Sequence, residues 1–236
     1  ADMLVLVTRP QAEGEQICQG LAKIGHEGLL APVMEIECLA PIWPQGAFDA
    51  LLLTSAQALH CLDPASLPQD LRSLPIYGVG ARLAPLLTQK GLGGVVELAP
   101  RAADIVERLK ARGLTGQRLL YLAGRYRKSD FERDLSQAGA QITAVELYAA
   151  RDAGTLSAAA LEALEHGRLG AVLHFSRRSA ELFLAHAGAA GLGQQASRLL
   201  HCAISFDAAE PLQGCVDQIR IARHPDAGSL LALLQE

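Results

Sequence analysis

Hydroxyls, cations and bare backbone recur in this sequence where short apolar runs end. Thr8 and Arg9 follow Leu4 to Val7, Thr54 and Ser55 follow Phe48 to Leu53, and Gly80 follows Ile76 to Val79. Arg125, Arg127 and Lys128 come soon after Leu119 to Leu122, Ser176, Arg177 and Arg178 close the run that begins at Leu169, and Ser205 follows Cys202 to Ile204. Acids are nearly absent directly after these runs. Arginine forks and helix starts both hold carboxylates and phosphates, so the set suits a ligand carrying several such groups. Taken singly, each serine or threonine reads more plainly as a helix N-cap and each arginine as a solvated rim. Their recurrence is what argues for a site. Tyr148, in the stretch Ile142 to Arg151, adds a phenol, whose ordinary pKa of about 10 suits it to donate a hydrogen bond or a proton.

Sharper chemistries do not fit. Gly78-x-Gly80 opens like a dinucleotide fingerprint, but Leu83 stands at the third glycine position and the motif follows a late strand. There is no phosphate-binding lysine loop. The seven histidines show no metal-ligand spacing, and neither Ser55 nor Ser176 sits in a G-x-S-x-G turn. A response regulator needs an aspartate at a central strand end, and a sugar-phosphate isomerase a histidine and glutamate; neither arrangement is present. The five cysteines are odd in number, widely spaced and without a C-x-x-C pair, so they are expected to be reduced, mostly buried small hydrophobes. The expectation is a site free of cofactor and metal.

The elements that must position these residues alternate. Met3 to Val7 predicts a strand and Gln11 to Ile24 a helix; Leu29 to Val33 is extended and runs on through Ile36 and Cys38. Phe48 to Leu53 reads as a buried strand, and a helix follows over Ala56 to Leu62. Then come a strand at Ile76 to Val79, a helix at Ala81 to Lys90, a strand at Val95 to Leu98 and a helix at Ala102 to Arg112. The segment Ile142 to Leu147 favours a strand, with a helix starting at Thr155. This alternation predicts an α/β fold, with open parallel sheets covered by helices on both faces.

The pattern also repeats. Leu119 to Leu122 matches Leu4 to Val7, and the stretch from Phe48 aligns without gaps on that from Leu169, so that Ser55 falls on Ser176. A weaker echo sets Gly80 on Ser205. Two similar lobes are expected, and two crossing segments, near 35–40 and 147–152, would build lobe 1 from 1–36 with 150–236 and lobe 2 from 37–149. The plain alternative is a sequential split near Leu114 to Gln117. In either case the polar strand ends are expected to face a shared gap, with Tyr148 where the lobes meet. A chain of 236 residues, half of them apolar, can bury such cores. Its net charge of -4 gives no general reason to bind nucleic acid or an acidic membrane. With no spanning apolar run and no signal-like Ala1 to Pro10, a cytoplasmic protein is expected.

The motifs Val7 to Pro10, Pro32 to Ile36, FDALLLTSAQAL, YGVG, the L-x-x-x-G-A-x-I-x-x-V-x-x-Y segment ending at Tyr148, and VLHFSRRSAELF, in this order and over nearly the whole length, resemble the uroporphyrinogen-III synthase family. The resemblance implies two flavodoxin-like or Rossmann-like lobes joined by a two-stranded connection, with both chain ends in one lobe. It implies hydroxymethylbilane, a linear tetrapyrrole bearing eight carboxylates, as substrate. Loss of the terminal hydroxyl gives an azafulvene, which the far ring attacks at its substituted carbon; a spiro intermediate then reopens and closes with ring D inverted. Tyr148 matches the family tyrosine proposed as proton or hydrogen-bond donor to the departing hydroxyl. Thr54, Ser55, Ser176 and the Gly80 backbone match positions lining the cleft, and the rim reading adds Arg9, Arg125, Arg177 and Ser205 as substrate-binding. A monomer without cofactor is implied, with a transient hand-over from hydroxymethylbilane synthase. Two patterns depart from the family: Leu83 replaces a threonine, and Ser205 to Ala209 lacks two more, with Asp207 expected to cap the next helix. A non-catalytic two-lobed sensor for a small polyanion is the alternative that the residues alone leave open.

Overall fold

The computed structural model describes residues 2–92, 94, 96–127 and 129–235. In chain order, β1 (Leu4–Val7), α1 (Gln11–Lys23) and β2 (Glu27–Leu30) lead to β3 (Met34–Cys38). Next come β4 (Ala50–Leu53), α2 (Ala56–Cys61), β5 (Ile76–Val79), α3 (Leu83–Gln89), β6 (Val96–Ala99), α4 (Ala102–Arg112), β7 (Arg118–Gly124), α5 (Asp130–Gln137) and the long β8 (Gln141–Asp152). The chain then adds α6 (Ala158–Glu165), β9 (Leu169–His174), α7 (Arg177–Ala189), α8 (Gly193–Ser197), β10 (Leu200–Ala203), α9 (Phe206–Ala209), β11 (Gln218–Ile221) and α10 (Ala227–Ala232). Val95, expected to open a strand, and Lys128, expected at the rim, lie outside the described residues.

Contacts divide the chain into one unit of Ala1–Glu35 with Arg151–Glu236 and another of Ile36–Ala150. The first holds a sheet ordered β11-β10-β9-β1-β2, all parallel. The second holds β3-β8-β7-β4-β5-β6, in which the pairs from β8 through to β6 are parallel. β3 runs antiparallel along β8, because Leu39 N–H donates to Leu147 O while Ala153 N–H donates to Val33 O. Read outward from β2 and from β8, the two parallel orders coincide: β2-β1-β9-β10-β11 and β8-β7-β4-β5-β6. Each is the 2-1-3-4-5 order of flavodoxin-like sheets, but the chain enters the second at a different strand.

The apolar runs are continuous because both faces of each sheet are covered. In β4, Leu51 and Leu53 turn to the side of α2 and α3, with Ala58, Leu59, Leu83 and Leu87. Ala50 and Leu52 turn to α4 and α5, with Ile105, Leu109 and Leu135. In β1, Leu6 packs with α6 and α7 residues, whereas Val5 and Val7 pack with Leu21 and Leu230. A fully buried leucine of this kind contributes roughly 1.5–3 kcal/mol.

Two expectations need correction. The helix after β8 starts at Ala158 rather than Thr155, because it is the Ser157 hydroxyl that accepts the Ala160 N–H, at 3.3 Å. The residues before it form a turn in which Gly154 N–H donates to Asp152 Oδ1 at 2.7 Å. The cysteines are not all reduced: Cys38, at the end of β3, is bonded to Cys61, at the end of α2, with Cα atoms 5.1 Å apart. The strand and the helix lie side by side although 23 positions separate the two cysteines. Among the described residues, no helix is long and apolar enough to cross a membrane.

Candidate functional site

In open parallel sheets, ligands bind beyond the carboxyl ends of the strands. The second unit gathers Tyr148, Arg125, Thr54, Ser55 and Gly80 along that edge, on or just after the neighbouring strands β8, β7, β4 and β5. β8 is bulged against β7: Ala123 pairs with Glu146 and Gly124 with Tyr148, leaving Leu147 extra. Strict alternation would send Tyr148 to the face of Ile142 and Ala144, yet it packs against the cluster of Val145 and Leu147. The bulge re-aims the side chain. Gly124 makes room for it, since a Cβ there would lie 2.6 Å from Tyr148 Cζ and 2.9 Å from its hydroxyl oxygen. The ring stays half-buried, and Arg125 N–H donates to Tyr148 O at 2.8 Å.

The Arg125 guanidinium pairs with Glu146 at 2.9 Å, in a groove of about 220 Å³ lined by Leu39, Ala40, Ile42, Arg125, Ala144, Val145 and Glu146. Arg127 forks onto Glu132 at 2.8 and 3.2 Å and donates to Gly124 O at 3.0 Å, pinning the turn after β7. Thr54 Oγ1 lies 2.5 Å from the hydroxyl of Tyr121, and the Ser55 hydroxyl caps α2 by accepting Gln57 N–H at 3.1 Å. Gly80 holds φ +93°, a conformation that favours glycine, and donates its N–H to Ala99 O at 2.8 Å. That N–H is therefore used within the sheet, while the space a Cβ would occupy is open.

The first unit brings Arg9, Ser176, Arg177 and Ser205 to the corresponding edge, beyond β1, β9 and β10. Thr8 does not join them: it is fully buried and donates to Leu173 O at 2.9 Å. Arg9 pairs with Glu13 at 2.8 Å and lies over the Phe175 ring, 4.7 Å from its centroid. Ser176 and Ser179 form a reciprocal capping box at the start of α7, and Ser205 caps α9 by accepting Ala208 N–H at 3.2 Å. Asp207 takes Arg177 at 3.2 Å instead of capping, and Glu210 takes the same guanidinium. Phe206 is 78% exposed beside them.

The expectation of a rim nearly free of acids is thus corrected. Glu13, Glu146, Asp207 and Glu210 reach its arginines from first helical turns, from the 3₁₀ turn after α9 and from β8, none of which directly follows a strand-end arginine in sequence. Arg9, Arg125 and Arg177 are accordingly each held in place by a carboxylate of the protein itself.

Several groups escaped the sequence. Tyr121 sits in the apolar run of β7, and its hydroxyl is distinguished only by meeting Thr54. His174 and His201 form a buried stacked pair, Nε2 to Nδ1 2.9 Å, with His201 Nε2 on Ala196 O at 2.9 Å. That chain makes His174 Nδ1 a buried acceptor with no partner, and desolvation lowers the pKa of both rings. Among the described residues, no cluster of His, Cys, Asp and Glu could hold a metal ion.

A profile of the uroporphyrinogen-III synthase HemD family matches residues 15–232. Among solved structures, uroporphyrinogen-III synthetase from Helicobacter pylori is similar at 17% identity and a TM-score of 0.65, over 100% of this chain and 99% of that one. A mutant uroporphyrinogen III synthase from Thermus thermophilus is similar at 16% identity and a TM-score of 0.52, covering 99% of this chain and 97% of its own. No curated protein sequence gives a significant match.

Proposed function

The chain belongs to the uroporphyrinogen-III synthase family, cyclising lyases of tetrapyrrole biosynthesis, and from that premise we propose which of its residues carry the reaction. Tyr148 donates its phenolic proton to the terminal hydroxyl of hydroxymethylbilane, so that the C–O bond breaks and water leaves. The azafulvene so formed closes through the spiro intermediate, and the proton released when the ring is rearomatised restores the phenol. Arg9, Arg125 and Arg177 hold substrate carboxylates in charge-assisted pairs, displacing Glu13, Glu146 and the Asp207/Glu210 pair. Thr54, Ser55, Ser176 and Ser205 border the same edges, with the open surface at Gly80 admitting the chain of rings. The bilane closes by itself to the type I isomer, so the residues have mainly to fold it and steer attack, which positioning supplies.

The observation that carries this reading is the bulge at Tyr148: β8 breaks its alternation to set a half-buried phenol over a glycine, beside an arginine, at the carboxyl edge. A monomer acting in the cytoplasm, fed by transient hand-over from hydroxymethylbilane synthase and using no cofactor, completes the proposal. Incubation with freshly prepared hydroxymethylbilane, followed by separation of the isomers, tests it. Type III product is expected; type I alone, at the spontaneous rate, overturns it.

A further inference from the structure

Tyr121 carries a polar group that the reading above does not use. Its ring is 4% exposed and packs edge-on against Phe131, with centroids 5.3 Å apart. Tyr121 pairs with Leu52 across β7 and β4, so Thr54, two residues further on, is its diagonal neighbour on the same face. The phenol reaches along the sheet to Thr54 Oγ1, at 2.5 Å.

Two hydroxyls share this bond and each has one hydrogen. If Thr54 donated, the hydrogen of Tyr121 would need another acceptor; among the described residues its hydroxyl is hydrogen-bonded to Thr54 and not to Glu132, whose charge it feels, so that hydrogen would be left an unsatisfied donor. If Tyr121 donates, the hydrogen of half-buried Thr54 turns outward, where solvent or a ligand accepts it. Burial also raises the Tyr121 pKa above the ordinary phenol value, so the donor keeps its proton at neutral pH. We propose that Tyr121 is a positioning residue, whose buried hydroxyl occupies an acceptor site of Thr54 Oγ1 and fixes Thr54 as a donor to a substrate carboxylate. The inference rests on the reading of Thr54 as substrate-binding, and it favours anionic oxygens, since the one hydrogen of Thr54 is then left for an acceptor.

A double-mutant cycle on steady-state kinetics with hydroxymethylbilane tests both levels. Thr54→Val should raise KM about tenfold, the loss of one hydrogen bond to a charged acceptor, with kcat little changed. Tyr121→Phe keeps the ring and should raise KM severalfold, with an unchanged melting temperature. The double variant should match Thr54→Val alone. No effect of Thr54→Val removes Thr54 from binding and the proposal with it. An effect of Thr54→Val but none of Tyr121→Phe, or additive effects in the double variant, overturns the positioning role and leaves Thr54 in place. NMR of the unaltered chain gives a reading that needs no folded variant. A slowly exchanging hydroxyl proton with cross-peaks to the Tyr121 ring is expected; a hydroxyl proton on Thr54 directed at Tyr121 overturns the proposal.

Discussion

Replacing Gly124 with alanine isolates the placement of Tyr148 from its chemistry. The new methyl carbon would stand 2.6 Å from Cζ, 2.8 Å from Cε2 and 2.9 Å from the hydroxyl oxygen of Tyr148. Gly124 is not among the glycines with positive φ, so the backbone accepts alanine and the cost falls on the ring. Restoring ordinary contact requires the phenol to move by roughly 0.8 Å, and overpacking of this kind costs about 1–3 kcal/mol when nothing yields. Tyr148 is only half-buried, so its ring can swing, and the lost freedom of the unfolded glycine offsets part of the rest, leaving about 1 kcal/mol or less. Misplacement of a reacting group by about 1 Å costs on the order of a hundredfold in rate. Gly124→Ala should therefore lower kcat for type III product by about ten- to a hundredfold while the melting temperature falls by a few degrees at most. Tyr148→Phe should give a similar loss, and the two together no further loss. The assay is the time course of type III against type I isomer, with thermal melts in parallel. A Gly124→Ala chain that makes type III product at the unaltered rate refutes the argument that this glycine serves the tyrosine.

Three further outcomes follow from other parts of the molecule. The Cys38–Cys61 bond spans 23 positions, so its reduction, or Cys38→Ser, should lower stability by about 3 kcal/mol; urea unfolding with and without dithiothreitol measures this, and thiol counts after denaturation should rise from three (Cys18, Cys202, Cys215) to five. Equal urea midpoints in both conditions would exclude a stabilising bond. Both His174 and His201 have folded-state pKa values lowered by burial, so below the ordinary histidine pKa of about 6.5 the unfolded chain takes up protons that the folded one refuses. Stability should thus be full above about pH 6.5 and fall as the pH drops beneath it; a urea midpoint unchanged between pH 7.5 and 5.5 counts against a neutral buried pair. KM for the bilane should rise with ionic strength, as expected of a ligand held by arginines, and a flat salt titration would show that they do not hold it.

Much of the fold was legible because both faces of each sheet are buried. The run Phe48 to Leu53 reads as a buried strand and the strand found is its wholly apolar part, Ala50–Leu53, while α4 has the bounds that spacing alone predicts. Ser55 and Ser176, paired by alignment, do occupy matching places as caps after β4 and β9, neighbours in the same strand order of the two sheets. What escaped depended on contacts across the chain. Nothing local tells Cys38 that Cys61 is beside it, and Glu146, 21 positions from Arg125, comes within reach only because β8 pairs with β7. Tyr121 stands among leucines in the apolar run of β7, and only the partner of its hydroxyl distinguishes it.

The division of the first unit between the two chain ends has a consequence for biosynthesis. β1 must wait for β9, its register running from Leu4 beside Leu169, so the β1–α1–β2 segment emerges from the ribosome with one edge of β1 bare until β9 has been made. Ile36–Ala150, by contrast, is one unbroken stretch whose sheet is complete before that partner appears. Domains fold as units during synthesis, and contacts distant in sequence close slowly. The nascent β1–α1–β2 segment is therefore where this chain is most exposed to mispairing.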